Sequence, residues 1–268
     1  MSAPLLVARD VARVFGGSRL LFGRRRSLVR AVDGVSLDVL RGRTVGVVGE
    51  SGSGKSTLAR MMVGLLAPTA GEIELEGRSV PELARRDRRA LHRKAQMVFQ
   101  DPVGSLNPRK TVSQILEAPL IALHGMDVTA RRERVAELMS LVNLRGEFVD
   151  RYPHEFSGGQ SQRIGIARAL AASPELIVLD EPVSALDVSI QAQVLKLLAD
   201  LQARLKLTYV FISHDLAVIE MISDEVAVMY QGKVVERGSR EQIFEAPRHD
   251  YTRLLLASAP GNRRAAQR

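Results

Sequence analysis

The chain has 268 residues, no cysteine and a net charge of +8, with 46% apolar and 25% charged residues. That length allows one large domain or two small ones, and the lack of cysteine excludes a disulfide framework, a thiolate metal site and a cysteine nucleophile. No run of about 18 apolar residues occurs, so no helical membrane span is expected, and Met1-Ser2-Ala3-Pro4-Leu5 lacks the basic-then-apolar pattern of a secretory signal, which points to the cytoplasm.

In chain order, Leu5 to Phe15, Ala31 to Leu40 and Glu72 to Glu76 carry clustered β-formers and read as strands. Turns are expected at Gly16-Gly17, Asp33-Gly34 and Arg41-Gly42. Thr44-Val45-Gly46-Val47-Val48-Gly49 is a continuous apolar run, the mark of a strand buried on both faces. Leu58, Met61, Met62, Leu65 and Leu66 then fall at helical spacing, and Pro68 ends that helix. Gln96 to Phe99 is another short strand. From about Asp101 to Ala172 the pattern turns helical, with Val135, Leu138, Met139 and Val142 on one face. Leu176 to Leu179 and Tyr209 to Ile212 return to buried strands. Between them Ile190, Val194, Leu197, Leu198, Leu201 and Leu205 mark a long helix. Val226 to Met229 and Lys233 to Glu236 form a hairpin around Gln231-Gly232, and the polar tail from Gly261 is expected to fray. Strands alternating with helices imply an α/β core with a parallel sheet, interrupted by a helical insert.

Two arginine clusters, Arg24-Arg25-Arg26 and Arg85, Arg86, Arg88 and Arg89, read first as solvated loops. Anionic headgroups or nucleic acid are the sharper readings. Aromatic residues make up only 4%, none interleaved with these clusters, so no stacking platform for bases and no nucleic-acid partner are expected.

The stretch Gly49-Glu50-Ser51-Gly52-Ser53-Gly54-Lys55-Ser56-Thr57 fits G-x-x-x-x-G-K-[ST] after a strand and before a helix, the context this phosphate-binding motif requires. Glycines let backbone amides curl around phosphates, Lys55 reaches the β- and γ-phosphates, and Ser56 offers a hydroxyl to Mg²⁺. The strand Leu176 to Leu179 ends in Asp180-Glu181, which suits the ligand-binding edge of a parallel sheet. Asp180 would hold Mg²⁺ through water, and Glu181 could polarise a water against the γ-phosphate. A second anion site lies in "FSGGQSQR", residues 156–163, where Ser157 caps the next helix and leaves bare amides behind it.

Ser157-Gly158-Gly159-Gln160 before a helix, followed by the acidic strand end, resembles the signature sequence of ABC-type ATPases. Gln100 is then similar to the Q-loop glutamine, Ser184-Ala185-Leu186-Asp187 to the D-loop, and His214 to the switch histidine. Phe15 sits where that family places an aromatic that stacks on adenine. The resemblance spans about residues 5–260. It implies a P-loop NTPase fold of ABC ATPase type: an α/β RecA-like core, an antiparallel β subdomain and an inserted α-helical subdomain. One nucleotide-binding domain would fill 1–268, with core and β subdomain in 1–100 and 173–230. The helical signature subdomain would occupy 101–172, and a C-terminal hairpin and extension 231–268. ATP and Mg²⁺ are the implied cofactors, with Ser56, Gln100 and Asp180 around the metal. In this family two such domains pack head to tail, so each signature helix meets an ATP held by the partner.

"VFQDPVGSLNPRKTV" (98–112), "YPHEFSGGQ" (152–160), "DEPVSALDVSIQAQVL" (180–195) and "SHDLAVIEMISDEVAVMYQGKVVERG" (213–238) narrow the resemblance to ATP-binding subunits of oligopeptide and dipeptide importers. Relatives import nickel, glutathione, opines or sugars. The implied partners are a second ATPase subunit (a similar but different chain favoured, a second copy of this one the alternative), two transmembrane permease subunits and, indirectly, a solute-binding protein. The implied place is the cytoplasmic face of a bacterial inner membrane. A soluble ABC-type ATPase acting on nucleic acid or the ribosome, and a non-hydrolysing regulatory subunit, are the alternative readings. Three departures stand out. Ser161 replaces the usual arginine, with a loss of contacts expected inside the helical subdomain or across the dimer. His249-Asp250-Tyr251 stands for His-Pro-Tyr. The cysteine cluster that binds an iron–sulfur centre in many relatives is missing.

Overall fold

The computed structural model describes residues 3–16, 28–101 and 103–258. The arginine run 24–26, the expected turn residue Gly17 and the tail from Gly261 lie outside the described residues.

The chain opens with β1 (Pro4–Phe15) and β2 (Val29–Leu40), then β3 (Thr44–Val48) and α1 (Lys55–Met62). β4 (Ala70–Leu75), β5 (Arg78–Ser79), α2 (Val80–Arg86), α3 (Arg88–Lys94) and β6 (Ala95–Val98) come next. A helical stretch holds α4 (Val112–Pro119), a π-helical turn (Leu120–His124), α5 (Val128–Leu141), two 3₁₀ turns and α6 (Gly158–Leu170). β7 (Leu176–Asp180), α7 (Val188–Leu205), β8 (Thr208–Ser213), α8 (Leu216–Ile222), the hairpin β9 (Glu225–Tyr230) and β10 (Lys233–Ser239), α9 (Arg240–Glu245) and α10 (Asp250–Ser258) complete it.

Two sheets result. An antiparallel one runs β2-β1-β4-β5, and a six-stranded one runs β10-β9-β3-β8-β7-β6. In the second, β9, β3, β8, β7 and β6 are parallel neighbours and β10 adds an antiparallel edge. Every residue of β3, β7 and β8 is buried, as continuous apolar strands between two layers must be. Alternation splits β8 between two cores: Val210 and Ile212 join the one under the antiparallel sheet and α1, while Tyr209 and Phe211 join the one under α4 to α7. Strands β3, β8, β7 and β6 all point the same way, so their carboxyl ends form one edge of the sheet.

Three local expectations are corrected. Asp33-Gly34 is not a turn between strands. It lies inside β2, where Gly34 takes φ +70° and the register against β1 shifts, so the glycine serves a β-bulge. The first long helix does not run to Leu66. Val63 caps α1, Gly64 takes φ +73°, and the Gly64 and Leu65 amides return to Met61 O at 3.1 Å and Arg60 O at 2.9 Å. That pattern stops the helix well before Pro68 and leaves Leu65 exposed. The second arginine cluster is not a loop: Arg85 and Arg86 end α2, and Arg88 and Arg89 begin α3 after the Asp87 cap.

A four-charge cluster ties the sheets together. The Arg41 guanidinium bridges the Glu76 and Glu175 carboxylates, and Lys94 bonds both as well. The Lys94 ammonium and the Arg41 guanidinium hold the Glu76 carboxyl below its usual range.

Candidate functional site

The phosphate loop connects β3 to α1, and two of its glycines have no alternative. Gly49 has φ +156°, and a Cβ there would sit 2.1 Å from Met229 O. Gly54 has φ +102°, and its Cβ would sit 2.1 Å from Ala31 O. Both obstacles are backbone and cannot swing aside. Gly54 also precedes the first helical turn without any side-chain cap. The amides of Lys55, Ser56 and Thr57 therefore open a helix with orphan donors and a positive dipole end, the requirement for phosphate.

Lys55 is buried, and its ammonium donates to Gly49 O and Glu50 O, both at 2.7 Å. Burial pushes its pKa down, against the pull of the Glu181 and Asp180 carboxylates. Ser56 Oγ donates to Asp180 Oδ1 at 2.9 Å. Burial raises the Asp180 carboxyl, partly offset by that hydroxyl. Glu181 follows β7 in a left-handed conformation, φ +48°, with its amide bonded to Ile212 O at 3.0 Å. This backbone turns its carboxylate to the sheet edge, where Oε2 accepts Gln100 Nε2 at 2.9 Å and lies 3.3 Å from His214 Nδ1. Gln100 follows β6 and His214 follows β8, so neighbouring strand ends deliver all three side chains. A cleft of about 500 Å³ is lined by Ser51, Gly52, Gly54, Lys55, Ser56, Thr57, Gln100, Glu181 and His214. Ser53 is buried beneath the loop.

The other sequence-selected residues lie apart. Ser157 caps α6 with its hydroxyl accepting the Gln160 amide at 3.3 Å, and Gln160 Oε1 accepts the Ser157 amide at 3.0 Å, a reciprocal capping box. Ser157 and Gly158 are exposed, while Gly159 is buried with its α-carbon against Ile190 of α7. Ser157, Gly159 and Gln160 line a separate cleft of about 510 Å³ that shares no residue with the phosphate-loop cleft. Asp187 caps α7, and the Ser189 hydroxyl and Ile190 amide hold its carboxyl below the usual range. Phe15, at the end of β1, is 40% exposed with the Arg13 guanidinium 4.8 Å from its ring centre.

Ser161 is fully buried, and its hydroxyl has no hydrogen-bond partner among the described residues. The serine that stands for arginine here thus packs inside the chain. Three contacts to the phosphate loop went unread in the sequence. The carbonyls of Ala31 and Met229 carry no side-chain signal. Tyr251, whose hydroxyl reaches the Glu50 amide at 3.2 Å, is visible only as the third residue of His249-Asp250-Tyr251.

Comparison with known proteins bears on the family and the fold. Residues 32–184 match the ABC transporter family, and residues 235–268 match the oligopeptide/dipeptide transporter C-terminal region. The chain is 50% identical to the dipeptide transport ATP-binding protein DppF of Escherichia coli (strain K12) over 260 residues, 97% of this chain and 78% of that protein. It is also 50% identical to the oligopeptide transport ATP-binding protein AppF of Bacillus subtilis (strain 168) over 261 residues, covering 97% and 79%. Among solved structures, a dimeric post-hydrolysis state of the ATP-binding cassette MJ0796 bound to ADP and Pi superposes with a TM-score of 0.76 at 29% identity, covering 88% of this chain and 98% of that one.

Proposed function

The chain belongs to the ABC transporter family and is an ATPase of that family, and we propose that ATP hydrolysis in the cleft at the phosphate loop powers import of dipeptides or oligopeptides. The observation that carries the assignment of roles is the Glu181 carboxylate, held by Gln100 and His214 at the lip of the cleft that Lys55 and Ser56 line. The peptide cargo is supported by the names of the relatives and by the match of residues 235–268.

In this reading the amides of the loop and of the first turn of α1 bind the β- and γ-phosphates, and Lys55 adds a charge-assisted donor. Glu181 orients and deprotonates the attacking water, and His214 follows the γ-phosphate from the other side of that carboxylate. Phe15 offers an exposed ring to the adenine. Mg²⁺ suits the donors present, because the Ser56 hydroxyl, the Asp180 carboxylate and the Gln100 amide oxygen are hard oxygen ligands. Ser56 Oγ and Asp180 Oδ1 already lie 2.9 Å apart. Bound with the phosphates, that ion would offset their charge.

The signature group at Ser157 to Gln160 would complete the site of another subunit, since it opens on a cleft of its own. A different but similar ATPase chain is the favoured partner, with Asp187 at their junction. Two permease subunits would receive the signal through Gln100 and the helical stretch 101–172. No described helix is long and apolar enough to cross a membrane; in this proposal the chain is a peripheral subunit on the cytoplasmic face, held there by the permease subunits.

The test is Glu181→Gln. The amide keeps the shape of the carboxylate and removes its basicity. ATP binding should persist, while steady-state phosphate release in the assembled complex should fall by about 10²- to 10⁴-fold. Unchanged turnover of a clean preparation would remove Glu181 from its role.

A further inference from the structure

A residue from the C-terminal segment holds the phosphate loop from outside. Tyr251, in the first turn of α10, is 8% exposed, and its hydroxyl accepts the Glu50 amide at 3.2 Å. Its ring lies against Tyr230, the last residue of β9, with centroids 4.1 Å apart. The bend before α10 is itself fixed. The amides of Arg248 and His249 donate to the Glu236 carboxylate at 2.8 and 2.9 Å, and the Tyr251 amide donates to His249 Nδ1 at 3.1 Å.

The peptide unit that Tyr251 grips is the one between Gly49 and Glu50. Its amide hydrogen goes to the tyrosine oxygen, and its carbonyl, Gly49 O, accepts the Lys55 ammonium. The next carbonyl, Glu50 O, accepts the same ammonium. An ammonium has three donors. Two are committed to these carbonyls at 2.7 Å, and beyond them the ammonium has, among the described residues, only Ser53 Oγ, at 3.5 Å. The two carbonyls therefore aim the remaining donor. Gly49 has no side chain to resist rotation of that peptide, so the restraint must come from a neighbour.

We propose that Tyr251 is a positioning residue for ATP: its hydroxyl fixes the Gly49–Glu50 peptide, and that peptide aims Lys55 at the phosphates. The inference rests on the ATP-binding reading of the cleft. It gives residues 235–268, matched by family as a C-terminal region, a task inside the nucleotide site.

Tyr251→Phe in the full-length chain is the test, because it keeps the ring stack and deletes only the hydroxyl. The Kd for Mg-ATP should rise about three- to tenfold, the scale of one neutral hydrogen bond. The Glu50 amide should exchange with solvent faster. In a Lys55→Ala background the same change should alter the Kd less than about twofold, because a pair acting through one contact is not additive. A Kd within twofold of the parent, an unchanged Glu50 amide, or fully additive changes would each overturn the inference. A parent that binds ATP normally while Tyr251→Phe has no effect removes this inference alone. A parent that does not bind Mg-ATP removes the ATP-binding reading and this inference with it.

Discussion

Gly159→Ala adds one methyl group to the signature helix, and the structure sets what that methyl meets. An ideal Cβ at residue 159 would lie 2.3 Å from Ile190 Cγ2. Carbon atoms in contact prefer about 3.5–4.0 Å, so the pair is short by more than an ångström. Ile190 cannot easily yield. It is β-branched and in a helix, where its χ1 is nearly fixed, and its own amide is pinned to the Asp187 cap at 3.0 Å. Either α6 or the start of α7 must move, at a cost of about 1–3 kcal/mol, the range for overpacking. Displacement of α6 also displaces the Ser157 cap, so the loss should reach the signature surface. ATP binding to the phosphate loop should be kept, since the two clefts share no residue. Urea unfolding would measure the stability loss, and size-exclusion chromatography with ATP would report assembly with the partner subunit. Ile190→Ala in the same chain removes the obstructing methyl and should recover about 1 kcal/mol or more of the loss. A double-mutant coupling below about 0.5 kcal/mol would refute the packing argument.

Two further outcomes are expected. Glu76→Gln should cost about 1 kcal/mol at pH 7, a modest value because Arg41 and Lys94 are well exposed. Its carboxyl is held below the usual range in the folded chain, so its contribution is present above the unfolded value of roughly 4.3 and fades as pH falls through the lower folded one. The gap in Tm between parent and variant should therefore close in acid, and a constant gap would rule out the ion cluster as its source. Ser161→Ala removes a buried hydroxyl that has no partner among the described residues, and should stabilise by about 1 kcal/mol or raise Tm by about 2 °C. A lower Tm would mean that the hydroxyl is bonded.

What the sequence made legible was local chemistry repeated along a rigid frame. The apolar runs ending at Val48, Leu179 and Ile212 could only be buried strands. Parallel pairing brings the residues just past each strand to one sheet edge, and so Lys55, Glu181 and His214 meet. Other features depend on distant partners. Gly34 reads as a turn until a facing strand makes it a bulge. The α1 helix looked longer because Leu65 and Leu66 keep its period, yet Gly64 adopts a conformation that period cannot express. The helices at Arg85 to Arg89 hide under charge, since only Val80, Leu83 and Leu91 are buried there. The contact between Tyr251 and Glu50 spans 201 residues and no local pattern encodes it.

Two glycines of the phosphate loop, Gly49 and Gly54, rest on main-chain oxygens, those of Met229 and Ala31. A carbonyl is the same atom in every residue type. The contacts that positions 31 and 229 make through their carbonyls do not depend on which side chains stand there, although the Met229 side chain is held separately by the core. Gly49 and Gly54 have no such freedom, because no change of neighbour can make room for a side chain there. The constraint on this loop therefore falls on the bare positions themselves and comes from main chain that every residue type shares.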